Sequence, residues 1–486
     1  MKLIKLEKII TSIFPFLVVF VGALYLPSDA DLGWHLKYGE YFFKHGSLLR
    51  ENIFSSEMTN FHWANTSWLT DLITYSIFSV GGFLGLTLAS AFVVMLTFFF
   101  FSKAFQLTYW QQSLIFPFLL YLEDPVNSVS FRGQLLSIAL LAVLIYILLQ
   151  YDRKRGRSIY ILPLLFLLWS NLHGQFILGL SLLIFWFISF AIKEYISVNK
   201  NFSLLMIKLK RPTVMIILSL LTTSINPFGA GVYFAVFEHF GNPLLKSVIE
   251  YLPPQELSIT WWNQIIIGMF LSIGIISFYF QKKLKQLSPI LILTTLLYGL
   301  SLYVKRYSWS MYYLIIPFLQ PIADFIKPDS YKMRFIGATI IFGITFIVLL
   351  ILKSPLQQFQ LMSWERYCHD FLECSPKSME FLLSQQYKGP IMTMYNWGGW
   401  MIWNYPQIKP SIDGRMHLWR DEKGYSAFKE YYAYEQNLED INNSKYNVVY
   451  ISSKKPIYQR LIQLNAENKW SIVYRDRFAA IFVRNH

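Results

Sequence analysis

The sequence predicts a polytopic all-α membrane domain with its N-terminus inside, followed by a small C-terminal extracytoplasmic α/β domain. Two compositional observations carry this. Of 486 residues, 54% are apolar and 15% charged, against roughly 25% charged in a soluble protein. So little polar surface cannot cover a water-soluble globule of this size, which excludes an ordinary cytosolic enzyme and a disordered chain. Charge density also breaks near residue 353. Residues 1–352 hold 42 charged residues, about 12%, and residues 353–486 hold 30, about 22%, the second value being near soluble usage. The domains are therefore read as 1–352 and 353–486.

A spanning helix needs about 20 mostly apolar residues. The candidates are 9–27, 83–102, 107–122, 133–150, 158–172, 176–195, 212–226, 263–280, 287–304, 308–326 and 335–352, eleven in all. Segment 66–82 is ambiguous, since it contains Asp71 and ends in Gly81-Gly82. Charge placement decides, because cytoplasmic loops collect Lys and Arg. If 66–82 does not span, one side of the membrane receives 19 basic residues, among them Lys2, Lys5, Lys8, the cluster Arg153-Lys154-Arg155, and Lys282, Lys283 and Lys285. The other side receives seven: Lys37, Lys44, Arg50, Arg132, Lys246, Lys305 and Arg306. A full span there would set Lys2–Lys8 against the Arg153 cluster. Segment 66–82 is therefore read as a half-buried helix leading into the second span, with residues 28–82 forming juxtamembrane structure outside. The first span has a long apolar stretch and no clean small-x-small cleavage site, so it is read as an anchor rather than a signal peptide.

The net charge of +14 is then mostly cytoplasmic loops facing anionic lipid, which points to membrane lipid and away from nucleic acid. The two cysteines, Cys368 and Cys374, are too few for a disulfide scaffold or a Cys-rich metal site. A bridge between them suits an oxidising compartment; two buried thiols are the alternative.

The first outer loop places Asp29 and Asp31 directly after the first span. Trp34, Tyr38, Tyr41 and Phe42 then fall at i, i+4, i+7 and i+8, one apolar helical stripe that Gly46 would end. Such a helix is expected in the interface, aromatic face toward lipid. Carboxylates at its start would stay ionised at the water–lipid border. There one can take a proton from an attacking hydroxyl as a bond forms, and a D-x-D pair can divide base from orienting group or metal ligand. The alternative is a solvated pair that caps the helix.

The wider pattern D-A-D-L-G-W-H-L-K-Y-G-E, H-G-S, N-I-F-S and W-A-N-T-S-W-L resembles the first outer loop of bacterial GT-C glycosyltransferases, in particular the protein mannosyltransferase and aminoarabinose-transferase group. The resemblance implies transfer of a sugar from a polyprenyl-phosphate donor on the outer leaflet to a glycan, lipid or protein acceptor, in a bacterial inner membrane. It implies Asp31 or Asp29 as general base. Asp31 is preferred because it opens the helix carrying Trp34 and His35, which are taken as substrate contacts. A monophosphate leaving group obliges no cofactor, although Asp29 and Asp31 leave a divalent metal open.

The second outer loop departs from that group. A second acidic residue is expected just before the next span, but Ser130-Phe131-Arg132-Gly133-Gln134 stands there and the nearest acids are Glu123 and Asp124. Asp124 is kept as a substrate contact. Arg132 is a candidate phosphate clamp, since guanidinium grips phosphate with two prongs; its alternative is snorkelling to headgroups. His173, in WSNLHGQF, is a further substrate contact or a structural histidine. The third loop carries Glu238, His239, Glu250 and Glu256 and is read as a cover over the substrate. Lys305 and Arg306, two adjacent outer cations, would neutralise the departing lipid phosphate or anchor to headgroups, and Arg306 is the preferred ligand.

In the C-terminal domain, Trp397-Gly398-Gly399-Trp400 would start an apolar helix or strand. Ile412-Asp413-Gly414-Arg415 reads as a strand end and turn, and 447–451 and 479–483 as strands. The Gly pair could admit a ligand or simply make a tight turn. Rival readings are a transporter or flippase, an acyltransferase with His173 as base, and a non-catalytic assembly protein. Mid-span carboxylates and repeated halves, the usual marks of transporters, are not found.

Overall fold

A computed structural model describes residues 2–127, 129, 131–239, 242–256, 258–280, 288–353, 362–387 and 389–485. Ser130, Lys282, Lys283 and Lys285 lie outside these. The chain forms two compact units. One comprises 1–25, 87–236 and 248–356; the other comprises 26–86, 237–247 and 357–486.

The first unit is helical. It includes α1 (Lys2–Gly22) and the helices Tyr109–Leu122, Gly133–Lys154, Leu162–Leu172, Phe176–Ser197, Phe202–Thr223, Ile259–Phe280, Ser288–Ser301 and Tyr331–Lys353. Leucine-, isoleucine- and phenylalanine-rich runs make most of the length of these helices apolar, while α1 begins with Lys2, Lys5, Glu7 and Lys8 and Phe202–Thr223 carries Lys208, Lys210 and Arg211. Thr108 caps Tyr109–Leu122 through a reciprocal bond pair with Gln111. Among the described residues, five helices are long and apolar enough to cross a membrane: Trp68–Phe105, Gly133–Lys154, Phe176–Ser197, Ile259–Phe280 and Tyr331–Lys353. The stretch read as one span over 308–326 is instead two helices, Ser308–Leu314 and Ile316–Phe325. Pro317 opens the second, and its missing N–H cannot continue the first.

The second unit begins with α2 (Leu32–His45), which ends at Gly46 with φ +67°, a left-handed stop that glycine adopts without strain. Next comes α3 (Trp68–Phe105), whose first part lies in this unit. Its helix breaks at Gly82, φ +55° and ψ −146°, a conformation only glycine enters readily. The break falls where the charge argument ended the lead-in helix. Beyond residue 362, a four-stranded sheet is built from β1 (Ile391–Thr393), β2 (Val448–Ser452), β3 (Trp470–Arg475) and β4 (Ala479–Arg484) in the order β1-β2-β4-β3. β1 runs parallel to β2, while β2–β4 and β3–β4 are antiparallel. Val448–Ser452 is buried along its whole length, which explains its unbroken apolar run. The strands expected at 447–451 and 479–483 are thus present. Gly398–Asn404 is a helix. Ile412 ends no strand; it sits in an irregular segment before the Gly414-Arg415 turn. Cys368 and Cys374 are joined as a disulfide.

The aromatic face of α2 corrects one expectation. Trp34 and Tyr38 do not face lipid: they are buried with Leu49, Phe54, Leu72 and Ile402, and Tyr41, Phe42, Trp63 and Trp68 pack around them. Helical periodicity says that a face is buried, not what buries it. Each such side chain contributes about 1.5–3 kcal/mol when removed from water.

Candidate functional site

Asp29 and Asp31 stand in a tight turn between α1 and α2. Asp29 is 5% exposed, and its Oδ1 accepts the Asp31 backbone N–H at 3.0 Å. The Tyr367 hydroxyl donates to the Asp29 carbonyl. Asp31 occupies the N-cap position of α2, yet its side chain makes no capping hydrogen bond. The helix-cap alternative is therefore not what holds this carboxylate. Asp29 shapes the turn, and Asp31 remains half-buried.

One turn into α2, His35 Nδ1 lies 2.6 Å from Asp71 Oδ1. Asn65 Nδ2 donates to Asp71 Oδ2 at 2.6 Å, while Asn65 Oδ1 accepts the Ser67 N–H at 2.9 Å. The W-A-N-T-S-W-L motif thereby gains a structural meaning. Asn65 shapes the turn before α3 and at the same time orients a fully buried carboxylate, which fixes the His35 ring. The His35 and Trp34 rings lie with centroids 3.6 Å apart, tilted by 31°. Asp71 was noticed in the sequence only as an obstacle to a span; its pairing with His35 across 36 positions follows no spacing rule.

The N-I-F-S motif meets residues of the C-terminal segment. Arg415 and Asp413 form a buried pair, with Nη2–Oδ2 at 2.7 Å and Nε–Oδ1 at 2.8 Å. Arg415 Nη2 also donates to Asn52 Oδ1 at 2.9 Å, and Ser55 Oγ donates to Asp413. Phe54, Trp419 and Trp63 place their ring centroids 5.0, 5.3 and 5.4 Å from the guanidinium, a cation–π setting for its buried charge. Burial alone would raise the Asp413 carboxyl. The Arg415 charge and hydrogen bonds, with Ser55, outweigh it and hold Asp413 below the usual carboxylate range.

Glycines let these pieces touch. A β-carbon on Gly33 would stand 2.5 Å from the Gly399 carbonyl carbon, and one on Gly399 would overlap the Ala30 carbonyl oxygen. The Gly398-Gly399 pair is thus a close backbone approach to the acidic turn. Lys445 adds an outer clasp, donating to Glu57 at 2.6 Å and to Glu430 and Tyr425 at 3.1 Å each.

The phosphate candidates belong to the other unit. Arg306 Nη1 donates to the Tyr251 hydroxyl at 2.8 Å and to Glu250 at 3.2 Å. Its guanidinium lies 5.1 Å from the Tyr251 ring centroid and 5.9 Å from that of Trp309. Burial raises the Tyr251 hydroxyl above its ordinary range, and the charges of Arg306 and Arg132 oppose that rise. Both arginines therefore sit within electrostatic reach of one tyrosine. Lys305, next to Arg306 in the chain, is half-buried, and its backbone N–H donates to Leu252. Arg306 is thus matched by a local acid that a phosphate would have to replace.

Asp124 is exposed and accepts the Tyr25 hydroxyl, and Lys353 Nζ lies over the Tyr25 ring at 2.9 Å. Its neighbour Glu123 is fully buried, and burial raises its carboxyl well above the ordinary value. His173 Nδ1 lies 2.9 Å from Ser137 Oγ, which also accepts Trp169 Nε1 at 2.9 Å. A β-carbon on Gly133 would meet the His173 ring at 2.6 Å. This closely packed setting supports a structural histidine. Among the described residues, no group of three or more His, Cys, Asp or Glu side chains is placed to hold a metal ion.

Neither a protein-family model nor a curated protein matches the chain. Solved structures do. The fold is that of the archaeal oligosaccharyltransferase AglB from Archaeoglobus fulgidus, solved with an inhibitory peptide and a dolichol-phosphate: TM-score 0.53, 10% identity, 91% of this chain and 70% of that one covered. ArnT from Cupriavidus metallidurans, solved with undecaprenyl phosphate, aligns over 99% of this chain and 98% of its own at TM-score 0.46 and 12% identity. The likeness expected from the sequence is present in the fold shared with the oligosaccharyltransferase.

Proposed function

We propose that this protein is a membrane glycosyltransferase that moves a sugar from a polyprenyl-phosphate donor to an acceptor outside the cytoplasm. The fold shared with an oligosaccharyltransferase whose solved complex holds dolichol-phosphate supports the class. The observation that carries the assignment within the chain is the Asp31 carboxylate, which stands at a helix N-cap without capping it, in a turn that Asp29 organises.

In this reading eleven spans set the N-terminus inside and residues 353–486 outside a bacterial inner membrane. Asp31 takes the proton of the acceptor hydroxyl or amine as its heteroatom attacks the anomeric carbon. The bond from that carbon to the phosphate oxygen breaks on the opposite face, its electron pair leaves with the lipid phosphate, and the sugar is inverted. Arg306, with Lys305 and Arg132, stabilises the growing charge of the leaving group, Arg306 exchanging Glu250 for phosphate. No step is routed through a metal.

The test is Asp31→Asn in the full chain, purified in detergent and supplied with undecaprenyl-phosphate carriers of tritiated mannose, glucose or aminoarabinose. Release of sugar should fall by roughly 100-fold or more, with donor binding retained. A folded variant with wild-type turnover would exclude the base assignment.

A further inference from the structure

We infer that Gly414 is the seat of the Asp31 carboxylate, so that the C-terminal segment sets the position of the base. A β-carbon on Gly414 would overlap Asp31 Oδ1, and would stand 2.6 Å from its Cγ and 3.0 Å from its Oδ2. These are its three nearest atoms, and all belong to one carboxylate. Gly414 has no left-handed φ, so space rather than backbone freedom is the reason for glycine here.

The seat is held firmly. The Gly414 carbonyl accepts the Tyr395 hydroxyl at 3.3 Å and lies 2.9 Å from His417 Nδ1. On either side, Asp413 and Arg415 form the buried pair anchored to Asn52 and Ser55. The turn bearing Asp31 is fixed in turn by the Gly399–Ala30 approach and by Tyr367. A carboxylate acting as base must be held within a fraction of an ångström of the proton it takes, and misplacement by 1 Å can cost on the order of 100-fold in rate. Gly414 is therefore a positioning residue, acting through Asp31. This inference rests on Asp31 being the base.

Gly414→Ala separates position from fold, because the added methyl meets the end of a flexible side chain rather than backbone. Gly399→Ala, by contrast, strikes the Ala30 backbone. With the tritiated undecaprenyl-phosphate sugars, Gly414→Ala should keep a near-wild-type melting temperature and donor KM while kcat falls by roughly 30- to 100-fold. Adding it to Asp31→Asn should lower kcat no further. Independently of turnover, Asp31→Cys combined with Gly414→Cys should form a cross-link under mild oxidation. An Asp31→Asn variant that is dead beside a Gly414→Ala variant with full kcat overturns this inference alone, as does the absence of the cross-link. A fully active Asp31→Asn variant, or a wild type that releases none of the sugars, overturns the proposed function itself.

Discussion

The acidic turn and the cationic cluster differ in how each is built. Around Asp29–Gly33, buried hydrogen bonds form three sets, Tyr367 on the Asp29 carbonyl, Asn65 and His35 on Asp71, and Arg415 with Asp413, Asn52 and Ser55, and glycines bring the backbones together. Around Arg306, the partners are Glu250 and Tyr251, half-exposed and drawn from one neighbouring loop. The first arrangement fixes geometry. The second stores a charge that can change partner. A general base needs the first property and a clamp on a departing phosphate needs the second.

The sharpest way to break that contrast is Arg415→Ala. Leaving Asp413 buried without its cation should destabilise the unit containing residues 357–486 by about 3–5 kcal/mol, measured by chemical denaturation of the purified protein. A loss under 1 kcal/mol would mean that the buried network does not fix the turn. Next in size is acid sensitivity. The Asp413 carboxyl is held below its ordinary range, so its contribution is complete above the unfolded value of about 3.9. It is lost as pH falls through the lower folded value. The melting temperature of the wild type should fall more steeply below about pH 4 than that of Asp413→Asn, which has no carboxylate to protonate. Parallel curves would remove Asp413 as the cause. The smallest effect is expected at the cationic cluster. A partly exposed pair such as Arg306–Glu250 contributes about 0.2–1 kcal/mol, so Glu250→Gln should lower the donor KM by no more than about fivefold while stability barely changes. A raised KM would show Glu250 helping the donor rather than competing with it.

How legible these regions were in the sequence follows the same division. The break in α3 at Gly82 falls at the Gly81-Gly82 pair where the sequence reading ended its lead-in helix. β2 and β4 announced themselves through β-branched and aromatic runs. The motifs D-A-D, N-I-F-S and W-A-N-T-S-W were visible as patterns, but their partners were not. Asn52 meets Arg415 across 363 positions, and no local periodicity reports such a pairing. The aromatic stripe of α2 was legible as a buried face and misassigned to lipid, because protein and bilayer select the same side chains. Arg306 was singled out in the sequence from its place just after a candidate span. Glu250, from a different loop, was read only as part of a cover.

The close approach of Gly399 and Gly414 to the acidic turn has a consequence for biosynthesis. Asp31 leaves the ribosome more than 380 residues before Gly414, on the order of half a minute at roughly 5–20 residues per second. During that interval the nascent chain carries the turn but not what completes it. The turn is thus completed late, when the segment around Gly414 closes on a loop synthesised long before, and a shorter nascent chain would lack the backbone that meets its Asp31 side chain.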